Sequence, residues 1–212
     1  MTSGDTSWHA GWDDSGGSGL NLPKPGAFTD TSHLKCYSTW QTWTDAAGSN
    51  ETKAIDCVDW YEAFAFCIWD GGRLATESEW EYAAAGGADN LLYAWGSATP
   101  DCTYANFYNG SYCSGGSGSV LAVGSTPKGN GKWGHTDLAG NVYEWTFDWY
   151  GTYPTSVSTD YANISSGSGR VTRGGFFYNL AVALRAACRG YGIYAPDERN
   201  YSVGARCART AQ

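Results

Sequence analysis

The stretch from Thr136 to Trp145 constrains the fold of this chain more than any other. Asp137 opens it, small residues and an asparagine follow, and residues 142–145 then alternate in the order of a β-strand. A carboxylate and backbone carbonyls in a tight turn are hard oxygen ligands, which suit Ca²⁺ better than a soft metal. The alternative interpretation is an ordinary hairpin entry with a buried aromatic residue, and the spacing alone favours neither.

The charge and composition limit the classes of partner. The net charge of −8 argues against nucleic acid, because its phosphates would be repelled rather than neutralised. Charged residues make up only 16% of the chain, which also carries 11 Trp and 15 Tyr; this mixture is typical of a loop-rich fold with an aromatic core. No run approaches the ~18 apolar residues of a membrane helix, so membrane insertion is not expected.

The seven cysteines favour disulfides over a metal site. They include no Cys-x-x-Cys pair, and His9, His33 and His135 are far apart, whereas zinc needs clustered thiolates and imidazoles. Spread cysteines in a lysine-poor chain favour an oxidising location, extracellular or on a bacterial cell surface. The polar start Met1–Gly4 does not form a signal peptide, so we expect the sequence to begin at a mature or trimmed end.

Two cysteine pairs could close local loops. A bridge between Cys36 and Cys57 would close one, and a bridge between Cys102 and Cys113 would staple a loop around an Asn-Gly turn. The odd count leaves at least one thiol over.

The domain organisation is simple. Residues 1–35 are rich in Gly, Ser, Asp and Pro without a period, and we expect an irregular arm that Trp8 and Trp12 hold on the body. Residues 36–212 then form a single domain, a length that can bury a sizeable core.

Two segments have helix-starting signals. Asp59 and Glu62 form a possible capping box at the start of a helix that runs to Trp69. Thr76 and Glu79 form a second box that begins a shorter helix. A glycine pair follows each segment and ends it.

Three stretches, taken in order, resemble the formylglycine-generating-enzyme (sulfatase-modifying factor) superfamily. They are Trp60–Gly87, which contains Gly72–Tyr82, then Asp137–Trp145, and Arg173–Gly175 continued by Gly204–Cys207. The resemblance covers roughly residues 55–209. It implies an α+β, C-type-lectin-like fold with a small twisted antiparallel sheet, two main helices and a high loop content.

The resemblance also implies a structural Ca²⁺ ion. The side chain of Asp137 and the backbone carbonyls of Leu138, Gly140 and Val142 would be its ligands. A second family calcium site would use Asn106 and Phe107, but the acidic partner of that site has no clear counterpart here. The resemblance further implies a disulfide between Cys67 and Cys207.

One departure from the family pattern bears on activity. The formylglycine-generating enzyme works with two cysteines shortly after its Gly-Gly pair, and the corresponding positions here hold Asn179 and Leu184. Neither side chain can be a thiolate ligand or a redox nucleophile, and Cys188 stands alone. Iron-dependent sulfoxide synthases of the same superfamily take metal-binding histidines from an added domain, and this chain has too few. We therefore expect no enzyme activity of these kinds.

The C-terminal stretch also resembles the variable proteins of diversity-generating retroelements, which use the same fold. In these proteins a scaffold of glycines, Leu-Arg, Pro and Gly-x-Arg brackets changeable positions, as residues 174–203 do here. Aromatic and small polar residues on a rigid frame make a contact surface at small entropic cost. The predicted ligand-binding residues are Phe176, Phe177, Tyr178, Asn179, Tyr191, Ile193, Tyr194, Asn200, Tyr201 and Ser202.

The leading hypothesis is a non-catalytic, calcium-stabilised domain that binds a protein or carbohydrate ligand. Three alternatives remain at the level of the sequence. The aromatic residues could be ordinary loop and core residues of an inactive relative. The chain could be an enzyme of unrecognised chemistry in the same groove, in which Arg185, Arg189, Asp197 or Glu198 converge. It could also be a structural protein of a surface assembly.

Overall fold

A computed structural model describes residues 34–156, 161–165, 167–190 and 194–209. The arm predicted over residues 1–35 lies almost entirely outside the described residues. The described part is an α+β fold with two α-helices and two small sheets, as expected. Its elements are α1 (Trp60–Trp69), β1 (Arg73–Leu74), α2 (Glu77–Ala84), β2 (Tyr143–Trp149), β3 (Arg170–Arg173), β4 (Val203–Ala205) and β5 (Cys207–Ala208).

Both predicted capping boxes are present. Asp59 accepts the backbone N–H of Glu62 at 2.8 Å, and the Glu62 carboxylate accepts that of Asp59 at 2.9 Å. Thr76 and Glu79 repeat the arrangement at 3.2 and 2.9 Å. Each box satisfies two N–H groups that the first turn of a helix leaves without partners. The helices therefore begin where the sequence predicted.

The larger sheet has the strand order β3-β2-β4. The strand β2 pairs antiparallel with β3 but parallel with β4, so the expectation of an antiparallel sheet is wrong for that edge. Parallel strands cannot be joined by a hairpin and need a longer connection. More than 50 residues, which include β3, separate the end of β2 from β4. A second ladder of two strands joins β1 to β5.

The strand β2 passes through the middle of the core. Its residues Tyr143, Glu144, Trp145 and Thr146 are all buried, so both faces of the strand are covered. Trp145 packs in one cluster with apolar side chains of α1, β1 and β4. The central motif thus leads into a buried strand, and the carboxylates of Glu144 and Asp148 on that strand must find partners inside the protein.

All three expected disulfides form, namely Cys36–Cys57, Cys67–Cys207 and Cys102–Cys113. Cys188 is the remaining free cysteine in the described residues. Three bridges favour an oxidising compartment, as the cysteine pattern indicated. No helix within the described ranges has the length and apolar character needed to cross a membrane.

One buried carboxyl group gives a testable pH dependence. Asp56 is fully buried, and its Oδ1 accepts the backbone N–H of Thr42 at 2.8 Å and the Thr42 hydroxyl at 3.1 Å. Burial raises the pKa of Asp56 to about 7, from 3.8. Between these two values the folded state holds a proton that the unfolded state has lost. The contribution of Asp56 to stability is therefore fully present below pH 3.8 and is lost as the pH rises towards 7.

We expect Asp56→Asn to remove this dependence. Between pH 5 and pH 8 the unfolding free energy of the wild type should fall by about 3 kcal/mol relative to that of the variant. Urea denaturation at both pH values measures the difference, and Asp45→Asn, at an exposed position, is the matched control. Parallel pH profiles for the wild type and Asp56→Asn would show that burial does not raise this pKa.

Candidate functional site

The turn after β3 places the C-terminal segment against the central motif. Gly174 and Gly175 have φ angles of +97° and +79°, a region that residues with a Cβ rarely adopt. A Cβ on Gly174 would also lie 3.3 Å from the carbonyl oxygen of Leu138. The carbonyl of Gly174 accepts the N–H of Gly140 at 2.8 Å. Residues 176–179 therefore begin directly beside the central motif.

Five half-buried aromatic residues from three parts of the chain meet at this point. Trp40 stacks on Tyr201 with ring centres 4.8 Å apart, and Tyr112 lies 4.7 Å from Tyr178. Phe176 stacks on Tyr178 at 6.0 Å. We call this group the aromatic face, formed by Trp40, Tyr112, Phe176, Tyr178 and Tyr201.

Two predicted contact residues are not available to a ligand. Phe177 is fully buried and packs with Val120 and Val142. Ser202 is also buried, and its hydroxyl bonds to the side chain of Asn200 at 2.9 Å. The left-handed turn at the glycine pair directs Phe177 inwards and Phe176 towards the surface, which the sequence pattern did not reveal.

The other predicted contact residues have mixed positions. Tyr194 is half-buried against Trp145, with ring centres 5.9 Å apart, and Asn200 is half-buried with its side chain bound within its own turn. Asn179 is half-buried, and its side chain accepts the backbone N–H of Phe176 at 2.9 Å. Tyr191 and Ile193 lie outside the described residues.

Sequence reasoning missed two neighbours of the aromatic face. Leu180 and Val182 lie one and three residues after Asn179 and are 60% and 45% exposed. Leu180 precedes a 3₁₀ turn, Ala181–Leu184, which contains Val182 and whose last two residues are buried. Exposed apolar side chains that lie close together are a common feature of contact surfaces. A short 3₁₀ turn has no helical period from which their exposure could be predicted.

An ion pair between Glu77 of α2 and Arg189 anchors the C-terminal segment that follows the Gly-Gly turn. Glu77 accepts two hydrogen bonds from Arg189, at 2.7 and 2.6 Å, and a third from the Tyr153 hydroxyl at 2.7 Å. Arg189 is therefore occupied by Glu77, whereas Asp197 and Glu198 are exposed. Arg185 is exposed as well. Within the described residues, Arg185, Arg189, Asp197 and Glu198 therefore do not converge in one pocket, which an enzyme of unrecognised chemistry would require.

The turn before β2 offers only oxygen ligands to a cation. Asp137 and Asn141 both have left-handed backbones, with φ angles of 55° and 67°. The carboxylate of Asp137 accepts the N–H of Gly124 at 2.6 Å. Over the described residues no group of three or more His, Cys, Asp or Glu side chains could hold a metal ion. One carboxylate plus the carbonyls of Leu138, Gly140 and Val142 is a donor set suited to a hard cation.

A comparison with known families decides the classification. Residues 29–211 match the family described as sulfatase-modifying factor enzyme 1-like domain. The chain belongs to this family. It is 34% identical over 159 residues to the formylglycine-generating enzyme of Mus musculus, an alignment that covers 71% of this chain and 42% of the mouse protein. It is also 34% identical over 163 residues to the inactive C-alpha-formylglycine-generating enzyme 2 of Bos taurus, covering 73% and 49%.

This sulfatase-modifying-factor domain spans half or less of the length of these curated relatives. A solved structure with a similar fold is that of Treponema denticola variable protein 1, with a TM-score of 0.61 and 25% identity. The match covers 82% of this chain and 78% of the variable protein. The fold is therefore shared by proteins named as enzymes and by a protein named as variable.

The two positions that the resemblance assigns to the family cysteines hold side chains that are not thiols. Asn179 is half-buried beside the aromatic face, and Leu184 is buried in the core with Phe107 and Ala139. The nearby Cys188 is half-buried, and burial raises the pKa of its thiol. A thiol with a raised pKa is mostly protonated near neutral pH and is a weak nucleophile.

Proposed function

We propose that this domain is a non-catalytic binding module whose aromatic face contacts a protein or carbohydrate ligand. The observation that carries the proposal is the Gly-Gly turn retained next to Asn179 and Leu184, where the family enzyme has its cysteines. A retained Gly-Gly turn without the redox cysteines favours a role in ligand binding over an oxidation reaction. The likeness to a variable protein supports the same conclusion.

The aromatic face has the physical properties of a recognition surface. Its five rings are fixed by one another, and the Tyr178 hydroxyl donates to the carbonyl of Ser117 at 2.6 Å. Rigid, amphipathic rings lose little conformational entropy when a partner binds. Leu180 and Val182 add exposed apolar area at its edge. The proposed contact surface therefore includes Leu180 and Val182 and leaves out Phe177 and Ser202, which are buried.

Randomised libraries test the proposal. One library varies Tyr178, Asn179, Leu180 and Val182, at partly or fully exposed positions of the segment. We expect most of its members to stay folded, as resistance to protease on a display surface measures. Members that bind an arbitrary purified protein should also be recoverable by selection, since the Gly-Gly turn and the buried core residues are not varied.

The control library varies Gly174, Phe177, Leu184 and Val203, which are buried. Few of its members should survive protease treatment, because cavities and strained turns each cost several kcal/mol (about 2–5). Equal survival of the two libraries, or no binders from the first, would contradict the proposal.

We also propose that Ca²⁺ stabilises the turn beneath the aromatic face. Asp137 and the carbonyls of Leu138, Gly140 and Val142 would hold the ion. The ion would neutralise the charge of Asp137 and make the turn more rigid. The backbone N–H of Gly140 donates a hydrogen bond to the carbonyl of Gly174. A more rigid turn would therefore also stabilise the start of the proposed ligand-binding segment, which begins at Gly174. Binding only to the folded state raises stability by mass action.

Excess chelator should therefore lower the melting temperature of the wild type. At a free calcium concentration of 100 times Kd the stabilisation is about 2.7 kcal/mol. Asp137→Asn keeps an oxygen but loses the charge, so its melting temperature should respond less to chelator. The control is Asp101→Asn, an exposed position whose side chain accepts hydrogen bonds from the backbone N–H and the hydroxyl of Thr103. An unchanged wild-type midpoint in chelator would contradict the calcium proposal.

A further inference from the structure

A cavity of about 320 Å³ lies in a part of the chain that the proposed function does not use. It is bounded by residues of the segment 42–55, which the disulfide Cys36–Cys57 closes into a loop. Its walls include Trp43, Asp45 and Lys53. The volume is at the lower end of the range typical of small-molecule sites.

Both ends of the segment that lines the cavity are anchored to the rest of the protein. At the start of the segment, Thr42 is buried and bonds through its backbone and its hydroxyl to Asp56. Near its end, Lys53 pairs with Ala122 in a bridge, and the carbonyl of Thr52 accepts the N–H of Val123 at 2.9 Å. A preorganised site loses less entropy on binding than a mobile loop does.

The lining mixes hydrogen-bond donors, acceptors and one aromatic surface. Trp43 is half-buried, and its indole nitrogen is enclosed, so the ring surface and not the N–H is what this residue offers to a ligand. Glu51 supplies a carboxylate, and Asn50 supplies an amide that both donates and accepts. Lys53 supplies an ammonium group from the same wall. Hydroxyl groups, which donate and accept at once, are the ligand groups that such a lining satisfies.

The charges around the cavity balance. Asp45 is paired with Lys35 at 2.6 Å, and Glu51 shares the wall with Lys53. A phosphorylated ligand would meet two carboxylates, and a cationic ligand would meet the ammonium group of Lys53. The balance therefore favours a neutral ligand over either charged class.

We propose that this cavity is a second binding site, which takes a neutral saccharide. The face of Trp43 receives the apolar side of a sugar ring, while Asn50, Glu51 and Lys53 bond to its hydroxyl groups. None of the residues that line the cavity belongs to the aromatic face, although Trp40 of the same disulfide loop does. Substitutions in the cavity lining therefore leave the five rings of that face unchanged.

Saturation-transfer NMR on the full chain tests the site, with free glucose, galactose, mannose and N-acetylglucosamine as probes. At least one probe should receive magnetisation from the protein, and calorimetric titration then gives its Kd. Trp43→Ala and Glu51→Gln should each raise that Kd by about tenfold, because the first removes the ring surface and the second replaces a charge-assisted hydrogen bond with a weaker neutral one. Trp69→Ala is the matched control at a 76% exposed position of α1, and its Kd should equal that of the wild type.

Three results would overturn the inference. The first is no transfer from the wild type to any of the four sugars. The second is a Kd that Glu51→Gln leaves unchanged; Glu51 is exposed and its variant keeps the oxygen that accepts the N–H of Gly48, so this variant decides even where Trp43→Ala does not fold. The third is tighter binding of glucose 6-phosphate or glucosamine than of glucose, which would refute the neutral ligand class.

Discussion

Replacing Cys67 and Cys207 together by alanine is expected to lower the free energy of unfolding by about 5 kcal/mol. This is the largest loss expected for any of the three disulfides. This disulfide connects α1 to β5 across 140 residues of sequence. A cross-link that closes so long a loop removes more freedom from the unfolded chain than a short one does. Cys67 is also fully buried between α1 and the sheet, so the bridge fixes the two layers that meet at the core.

The bridge between Cys102 and Cys113 is the matched control. It closes only 11 residues, and its removal is expected to cost about 3 kcal/mol by the same reasoning. Urea denaturation of both alanine pairs, with the wild type also measured under reducing conditions, gives the comparison. A loss for the Cys67/Cys207 variant no greater than that for the control would contradict the assigned role of the long bridge.

Glu144→Gln is expected to destabilise the domain by about 3 kcal/mol, because it leaves a partly buried arginine without its counter-charge. Glu144 is only 5% exposed, and the side chain of Arg206 is 28% exposed. The Oε2 of Glu144 accepts the Nε–H of Arg206 at 2.8 Å and the indole N–H of Trp80 at 2.7 Å, and its Oε1 accepts the Nη2–H of Arg206 at 2.6 Å. Arg206 remains charged after the substitution, because a guanidinium group does not deprotonate in proteins.

Glu79→Gln is the control for this substitution. Glu79 forms a bidentate pair with Arg73, but both side chains are about half exposed, and such pairs contribute about 1 kcal/mol or less. The glutamine keeps an oxygen for the capping box. Equal destabilisation by Glu144→Gln and Glu79→Gln, measured by urea denaturation, would show that the buried pair is not required.

The features predicted correctly from the sequence depend on neighbours along the chain. The capping boxes at Asp59 and Thr76 need only the residue three positions later, and the sequence places Glu62 and Glu79 there. The strand after Asn141 follows from a run of strand-forming residues. The bridge from Cys67 to Cys207 is not local, and the family resemblance, rather than spacing, predicted it.

The features that the sequence did not reveal depend on long-range packing. Trp40 and Tyr112 join the aromatic face from segments far from Tyr178, and no local pattern links them. Phe177 and Phe176 are adjacent and chemically identical, yet one is buried and the other half-buried, because the preceding glycine turn sets their directions. Burial of Glu144 follows from coverage of both faces of β2, which alternation within a single strand cannot predict.

Conversion of cysteine to formylglycine is the measurement that tests the central claim most directly. The purified domain is incubated with copper, oxygen and a sulfatase-type cysteine peptide, and mass spectrometry follows the peptide, with the mouse formylglycine-generating enzyme as the positive control. With Asn179 and Leu184 in place of the family cysteines, we expect the mouse enzyme to convert the peptide and this domain to leave it unchanged. Conversion by this domain above the copper-only background would contradict the account of a binding module.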